Sequence, residues 1–303
     1  MWILLSLSAG VLQSVRNGLA RSIAGRVSPA LNSWARFAFN LPFSTLLVSV
    51  VTALNGAPET NGLYFALCFG TGLAQLLGNV SLIAAFRYAN FAQAIVLHKL
   101  EILFTAAIGA LWFAEFPTPL AWLGILVSVL GVFLMHARNG ARPQAFVRFD
   151  RGSVLAILAG LFMVFASFLL KEASTELARL NPRVGEGRFE VSVHTLFHVT
   201  WMEVAVLSAF LLARRASEFR DVAPNWKRML GIGAAGFSGS LCWFWAYAIA
   251  LVAYVKAVGQ VETVAAVLYS LFFFRERDVL RQIPGIVLVL VGILLVLLGG
   301  DGS

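Results

Sequence analysis

Long apolar stretches, each closed by charged residues or by glycine and proline, succeed one another along the whole chain. A membrane-spanning helix needs roughly 20 mainly apolar residues, and the pattern predicts ten, near 2–20, 29–53, 62–85, 90–113, 119–137, 153–171, 192–213, 229–250, 252–274 and 282–299. The first run lacks the basic start of a signal peptide, and Gln13, Arg16 and Asn17 interrupt it, so it reads as helix one. The longer polar connections are a basic linker at 138–152 and the segment from Lys171 to Glu190, whose Pro182, Gly185 and Gly187 favour a surface loop over a gating lid.

The pattern is a duplication. A shift of 161 positions superposes helices three to five on helices eight to ten without a gap: Gly70 meets Gly231, Gly72 meets Gly233, Gly78 meets Gly239, Glu101 meets Glu262, Glu115 meets Glu276, Gly124 meets Gly285 and Gly131 meets Gly292. Helices one and six align at 150 (Ala9-Gly10 with Ala159-Gly160), and helices two and seven at 167 (Trp34 with Trp201). The chain therefore divides into a first repeat at 1–137, the linker at 138–152 and a second repeat at 153–303. An odd number of helices per repeat makes the second copy enter from the opposite face, the inverted arrangement that places a binding site near the midplane.

The stretches LEILFTAAIGALWFAE (100–115) and VETVAAVLYSLFFFRE (261–276) each set one glutamate 14 residues before another, ahead of a Gly-rich last helix. This resembles the EamA repeat of the drug/metabolite transporter superfamily over nearly the whole chain. The resemblance implies an all-α membrane protein of ten transmembrane helices in two inverted five-helix repeats. It also implies a cavity lined by helices one, three, four, six, eight and nine, with five and ten peripheral. Members often carry proline directly after the first glutamate; Ile102 and Thr263 stand there in this chain, so no proline kink is implied.

Composition agrees with lipid as the solvent: 59% of residues are hydrophobic and 13% charged, against about a quarter charged in ordinary soluble domains. The formal net charge of +8 sits in short juxtamembrane loops with no folded basic domain behind them, which favours anionic lipid over nucleic acid as a partner. Loops numbered odd from the N-terminus hold fifteen Arg and Lys, while the even ones hold Arg179, Arg183 and Arg188, with Lys171 at a helix end. The positive-inside rule then puts the odd loops in the cytoplasm of a bacterial-type inner membrane and both termini outside, whereas the family resemblance implies termini inside. The two cysteines, Cys68 and Cys242, fall within spans and read as small hydrophobes.

Ionisable groups at the bilayer centre cost about 2.5–3.5 kcal/mol each on insertion scales, so they face protein or a wet cavity. Glu101 and Glu262 are central and repeat-related; either they bind substrate or a coupling proton, or they pair with buried cations and lock the repeats together. His98 shares the helix face of Glu101, whereas Lys99 lies two residues from it and needs another partner. Lys256 precedes Gln260, the counterpart of Lys99, by one turn. Arg16 with Gln13 and Asn17, and Gln75 with Asn79, form polar stripes that line a cavity or bond between helices. Trp243, with Ser238, Ser240, Phe244, Trp245 and Tyr247, offers a cavity wall or an interfacial belt. Arg36 and Glu203, each two residues after a tryptophan, read as a structural charge pair. His194 and His198 have metal-ligand spacing, but with four histidines in the chain no metal site is expected. Phosphate loops, nucleophile elbows and dinucleotide fingerprints are absent, so no cofactor is expected.

These residues point to a secondary transporter with a small-molecule substrate rather than an enzyme. Within the spans Arg16, Arg36, Lys99 and Lys256 face Glu101, Glu203 and Glu262, a small cationic surplus that favours an anionic or zwitterionic metabolite, amino-acid-like or carboxylate. Efflux of hydrophobic cations is the rival within transport, and a lipid-modifying membrane enzyme the rival outside it. The sequence leaves the oligomeric state open.

Overall fold

A computed structural model describes residues 1–23, 25–85, 88, 94, 97–137, 151–184, 188–273 and 282–300. All regular structure among them is helical: α1 (Trp2–Ile23), α2 (Pro29–Ala38), α3 (Leu41–Asn55), α4 (Gly62–Ala85), α5 (Glu101–Trp112), α6 (Pro119–Ala137), α7 (Arg151–Leu180), α8 (Phe189–Arg215), α9 (Val222–Ile249), α10 (Val252–Val258), α11 (Val261–Phe273) and α12 (Ile283–Gly300), with short 3-10 turns at Pro182–Val184 and Ala216–Asp221. Five stretches are long and apolar enough to cross a membrane: Pro29–Asn55, Gly62–Ala85, Arg151–Leu180, Phe189–Ile249 and Ile283–Gly300. Their outer faces carry large apolar side chains in the open, such as Leu46 (66% exposed), Val80 (61%) and Leu212 (63%), as a surface solvated by lipid tails requires. Most of the basic linker, Gly185, Gly187, Glu276 and the C-terminal residues 301–303 lie outside the described residues.

Among the described residues, predicted spans are interrupted. Helix two divides into α2 and α3 at Phe39-Asn40; Ser28 caps α2 by accepting the Leu31 N–H at 3.1 Å, Pro29 opens it, and Pro42, which has no N–H to give, stands in the first turn of α3. Helix nine divides into α10 and α11 at Gly259-Gln260. There the backbone tightens to three-residue bonds, Glu262 N–H to Gly259 O at 3.0 Å and Thr263 N–H to Gln260 O at 2.9 Å. Before α5 the Leu100 N–H likewise bonds Leu97 O at 3.3 Å. Glu101 and Glu262 thus each occupy the first turn of a helix, where the dipole favours a carboxylate.

The chain forms two compact units that cut across the sequence repeats. Unit 1 comprises Met1–Gly72 and Leu169–Ile249; unit 2 comprises Leu73–Phe168 and Ala250–Ser303. In unit 1, α1 lies along α9, and α8 packs on α2, α3 and α9. Ile23, Leu31, Ala35, Leu211, Met229 and Ile232 form a fully buried cluster in it. In unit 2, α6 lies along α12, and α10 packs on α5 and α12.

Glycine contacts follow the repeat. A Cβ on Gly70 would meet Leu169 at 3.2 Å and one on Gly231 would meet Leu19 at 3.5 Å. Likewise one on Gly78 would lie 3.3 Å from Ala159 O, and one on Gly239 3.8 Å from Ala9 O. The third helix of each repeat therefore packs on the first helix of the other. Between α6 and α12 the backbones touch: a Cβ on Gly124 would stand 2.6 Å from Gly292 O, and one on Gly131 2.7 Å from Gly285 O. Residue numbers rise along one helix as they fall along the other, so these counterparts run antiparallel.

Candidate functional site

In unit 2 the break before α11 and the start of α5 bring four charges together. Lys256 on α10 donates to Glu101 Oε2 on α5 at 3.3 Å, and Lys99 Nζ stands 3.6 Å from Glu262 Oε2 on α11. Each carboxylate of one repeat thus faces the lysine of the other. All four side chains are largely buried, the most exposed at 16%, so each pair offsets a desolvation cost that neither charge could bear alone. Lys256 also donates to Met163 O on α7 at 3.2 Å. Close by, Gly160 admits the chain: a Cβ there would lie 2.9 Å from His98 O and 3.4 Å from Glu101 Cβ.

Two polar atoms next to the quartet are buried without a hydrogen-bond partner, His98 Nδ1 and Gln260 Oε1. Gln260 is 3% exposed, and its Nε2 reaches Lys256 O at 3.5 Å. His98, Lys99, Glu101, Lys256, Gln260 and Glu262 therefore form one group. Gln75 and Asn79 belong to unit 2 as well, half-buried on α4.

Arg16, Arg36, Trp243 and Glu203 lie in unit 1. Arg16 is buried and binds Asn17 Oδ1 through Nη2 at 2.8 Å. Trp243 donates from Nε1 to Gln13 Oε1 at 3.1 Å and stacks on Tyr247 at 5.5 Å between ring centroids. Gly236 leaves room for both arginine stems, since a Cβ there would lie 3.6 Å from Arg16 Cδ and 3.9 Å from Arg36 Cγ. Glu203 feels the charge of Arg36, yet its Oε1 is buried and has no hydrogen-bond partner.

An open cavity of about 580 Å³ lies among α3, α8 and the loop before α4, lined by Thr52, Thr60, Phe65, His194 and His198 among others. Tyr64 OH and His198 Nδ1 share a hydrogen bond of 2.9 Å, and the two histidine rings stand 6.5 Å apart. Among the described residues no three His, Cys, Asp or Glu side chains gather as metal ligands would.

One role escaped the sequence reading. Glu115 Oε2 accepts the Val252 N–H at 2.8 Å, capping the first turn of α10 from a distant loop. Ala114, in the left-handed region at φ 51°, turns the chain there, and the Glu115 N–H closes on Gly109 O at 2.9 Å. The repeated glutamate of the motif was visible, but not its partner.

The sequence model of the EamA-like transporter family matches residues 1–137 and 150–298. No curated protein matches the sequence. A solved structure described only as "Crystal structure of protein" is similar over 98% of this chain and 97% of its own, with a TM-score of 0.71 and 16% identity, which speaks for the fold alone. The chain belongs to the EamA-like transporter family, within the drug/metabolite transporter superfamily, and is a multi-pass membrane protein with a small-molecule substrate and a lipid environment.

Proposed function

We propose that this EamA-like transporter is a secondary active transporter of a small anionic or zwitterionic metabolite, amino-acid-like or carboxylate. It works by alternating access between two five-helix halves of inverted topology, 1–137 and 153–303, driven by protons or by exchange. Two inverted halves can trade conformations, so that one midplane site opens to each side in turn. The repeat-related glycine contacts and the antiparallel α6 and α12 support that symmetry.

The observation that carries the reading is the buried quartet with His98 Nδ1 and Gln260 Oε1 unpartnered beside it. Buried polar atoms are almost always satisfied, and a polar substrate supplies what these two lack. Because the quartet pairs its own charges, the cationic surplus within the spans falls to Arg16 and Arg36 against Glu203, which favours an anion over a hydrophobic cation. Proteoliposomes loaded with candidate carboxylates and amino acids test this. Counterflow of one such solute, lost in Gln260→Leu, is the expected result. Chemical turnover without vectorial movement would instead identify an enzyme, and counterflow of hydrophobic cations alone would reverse the charge argument.

Orientation follows the arginines, with both termini outside. A cysteine at Lys227, on an odd loop, is expected to resist impermeant thiol reagents in intact cells while one at Thr60 reacts. The opposite result places the termini inside.

A further inference from the structure

Repeat symmetry fails at one buried point. Gly72 and Gly233 are counterparts, yet a Cβ on Gly233 would collide with the Phe39 backbone at the break between α2 and α3, whereas one on Gly72 would meet Glu203 Cγ at 3.1 Å and Val199 O at 3.7 Å. On α4, the gap left by the glycine is filled by an acidic side chain. Glu203 sits near the middle of α8, 2% exposed, with Oε1 lacking any hydrogen-bond partner. An ionised carboxylate with an unsatisfied oxygen is costly in such a place. A bound proton removes the charge, and no larger ligand fits a side chain so enclosed.

The neighbouring elements bring little that competes. Arg36 on α2 acts on Glu203 electrostatically. The sequence of α3 carries no ionisable residue, and α4 brings only Tyr64 and Cys68. On α9 the ionisable residues are Lys227, Arg228, Cys242 and Tyr247, and on the 3-10 turn after α8 they are Glu218, Arg220 and Asp221. On α8 itself stand Glu190, His194, His198, Arg214 and Arg215. His194 and His198 line the open cavity, and His198 precedes Glu203 by five residues, about 7.5 Å at the rise of a helix.

We propose that Glu203 is the proton-binding carboxyl of the transport cycle, seated in the gap at Gly72, facing Arg36, and reached from the cavity beside His194 and His198. It takes a proton from water as an O–H bond at one carboxylate oxygen, becoming neutral, and returns that proton to water when the bond breaks. This inference rests on the transporter reading for its role in a cycle, but the proton site itself is measurable without a substrate.

Infrared difference spectra of the purified full-length protein, titrated around neutral pH, read the carbonyl stretch of a protonated carboxyl. One such band is expected in the unaltered protein. It is lost in Glu203→Gln and kept in Glu101→Gln and Glu262→Gln. A wild-type protein without the band, or a band that survives Glu203→Gln, overturns the assignment. Should Glu203→Gln fail to fold, Gly72→Ala presses on the same side chain and must move the pH midpoint of the band; an unmoved midpoint overturns it equally. In proteoliposomes, uphill accumulation driven by a pH gradient is lost in Glu203→Gln, and accumulation that persists also refutes the proposal. A band that vanishes in Glu203→Gln, in a protein that moves no solute tested, upholds the proton site while refuting the transport reading.

Discussion

In unit 2, Lys256 and Lys99 each stand against a carboxylate of the other repeat, at 3.3 and 3.6 Å, and α6 meets α12 backbone to backbone through four glycines. In unit 1, Trp243 is tied to Gln13 by one neutral hydrogen bond, and Glu203 keeps an unpartnered oxygen. The two units come from the same duplicated sequence and both hold unpartnered buried atoms, His98 Nδ1 and Gln260 Oε1 in unit 2 and Glu203 Oε1 in unit 1, but in unit 2 these lie beside a quartet of paired charges. Paired charges with tight backbone contact resist rearrangement, because each partner left alone is costly. Unsatisfied groups and single neutral bonds are cheap to remake. On that ground unit 2 is expected to be the more rigid of the two and unit 1 the more easily rearranged.

The largest effect should come from breaking the quartet on one side only. Lys256→Met leaves Glu101 without its lysine, and removing one member of a buried pair costs about 3–5 kcal/mol. Thermal unfolding in detergent should show a large fall in Tm for the single variant. The Glu101→Gln, Lys256→Met double variant, which leaves no charge stranded, should recover most of it. If the single variant melts like the parent, the quartet is well hydrated and unit 2 loses its distinction from unit 1.

Much of this contrast was legible in the sequence, and its limits are physical. The 161-residue shift identified Glu101 and Glu262 as counterparts, and the two-residue spacing of Lys99 and Glu101 required a partner elsewhere for the lysine. That Glu262 stands beside it, while Lys256 takes Glu101, depends on how α5, α10 and α11 come together, which no local pattern encodes. The breaks were hidden for a related reason. Hydrophobic runs give the length of a span, but the turn at Gly259-Gln260 is a backbone event inside a stretch that reads as one span. Gly72 and Gly233 are repeat counterparts, although Gly233 faces a backbone and Gly72 faces Glu203. What fills the gap left by a glycine is a property of the partner helix.

A middle-sized effect should separate the glycine contacts. A methyl at Gly292 would lie 2.6 Å from Gly124 O and 2.5 Å from Ser128 N, with backbone on both sides. At Gly231 it would meet only the end of Leu19 at 3.5 Å. Overpacking a site that cannot yield costs about 1–3 kcal/mol, so Gly292→Ala should lower the Tm and Gly231→Ala should leave it unchanged or slightly raised, alanine being the better helix former. Equal losses in the two variants would mean that unit 1 is as rigid at this contact as unit 2.

The smallest stability effect, and the sharpest test of the comparison, is expected at Trp243→Phe. The ring that stacks on Tyr247 is largely retained, and only the donor to Gln13 Oε1 is removed. A hydrogen bond between helices in a membrane is worth about 0.6 kcal/mol on average, so unfolding should hardly register the change. Gln13 stands one turn before Arg16 on α1, in the unit that holds the cationic surplus. Transport should respond where stability does not, with a raised KM for the anionic solute and a nearly unchanged Tm. A Tm loss as large as that of Lys256→Met would show that unit 1 is held together by its polar groups, just as unit 2 is. An unchanged KM would remove the Gln13 and Trp243 pair from the substrate path and leave Arg16 and Arg36 as the anion-facing groups of unit 1.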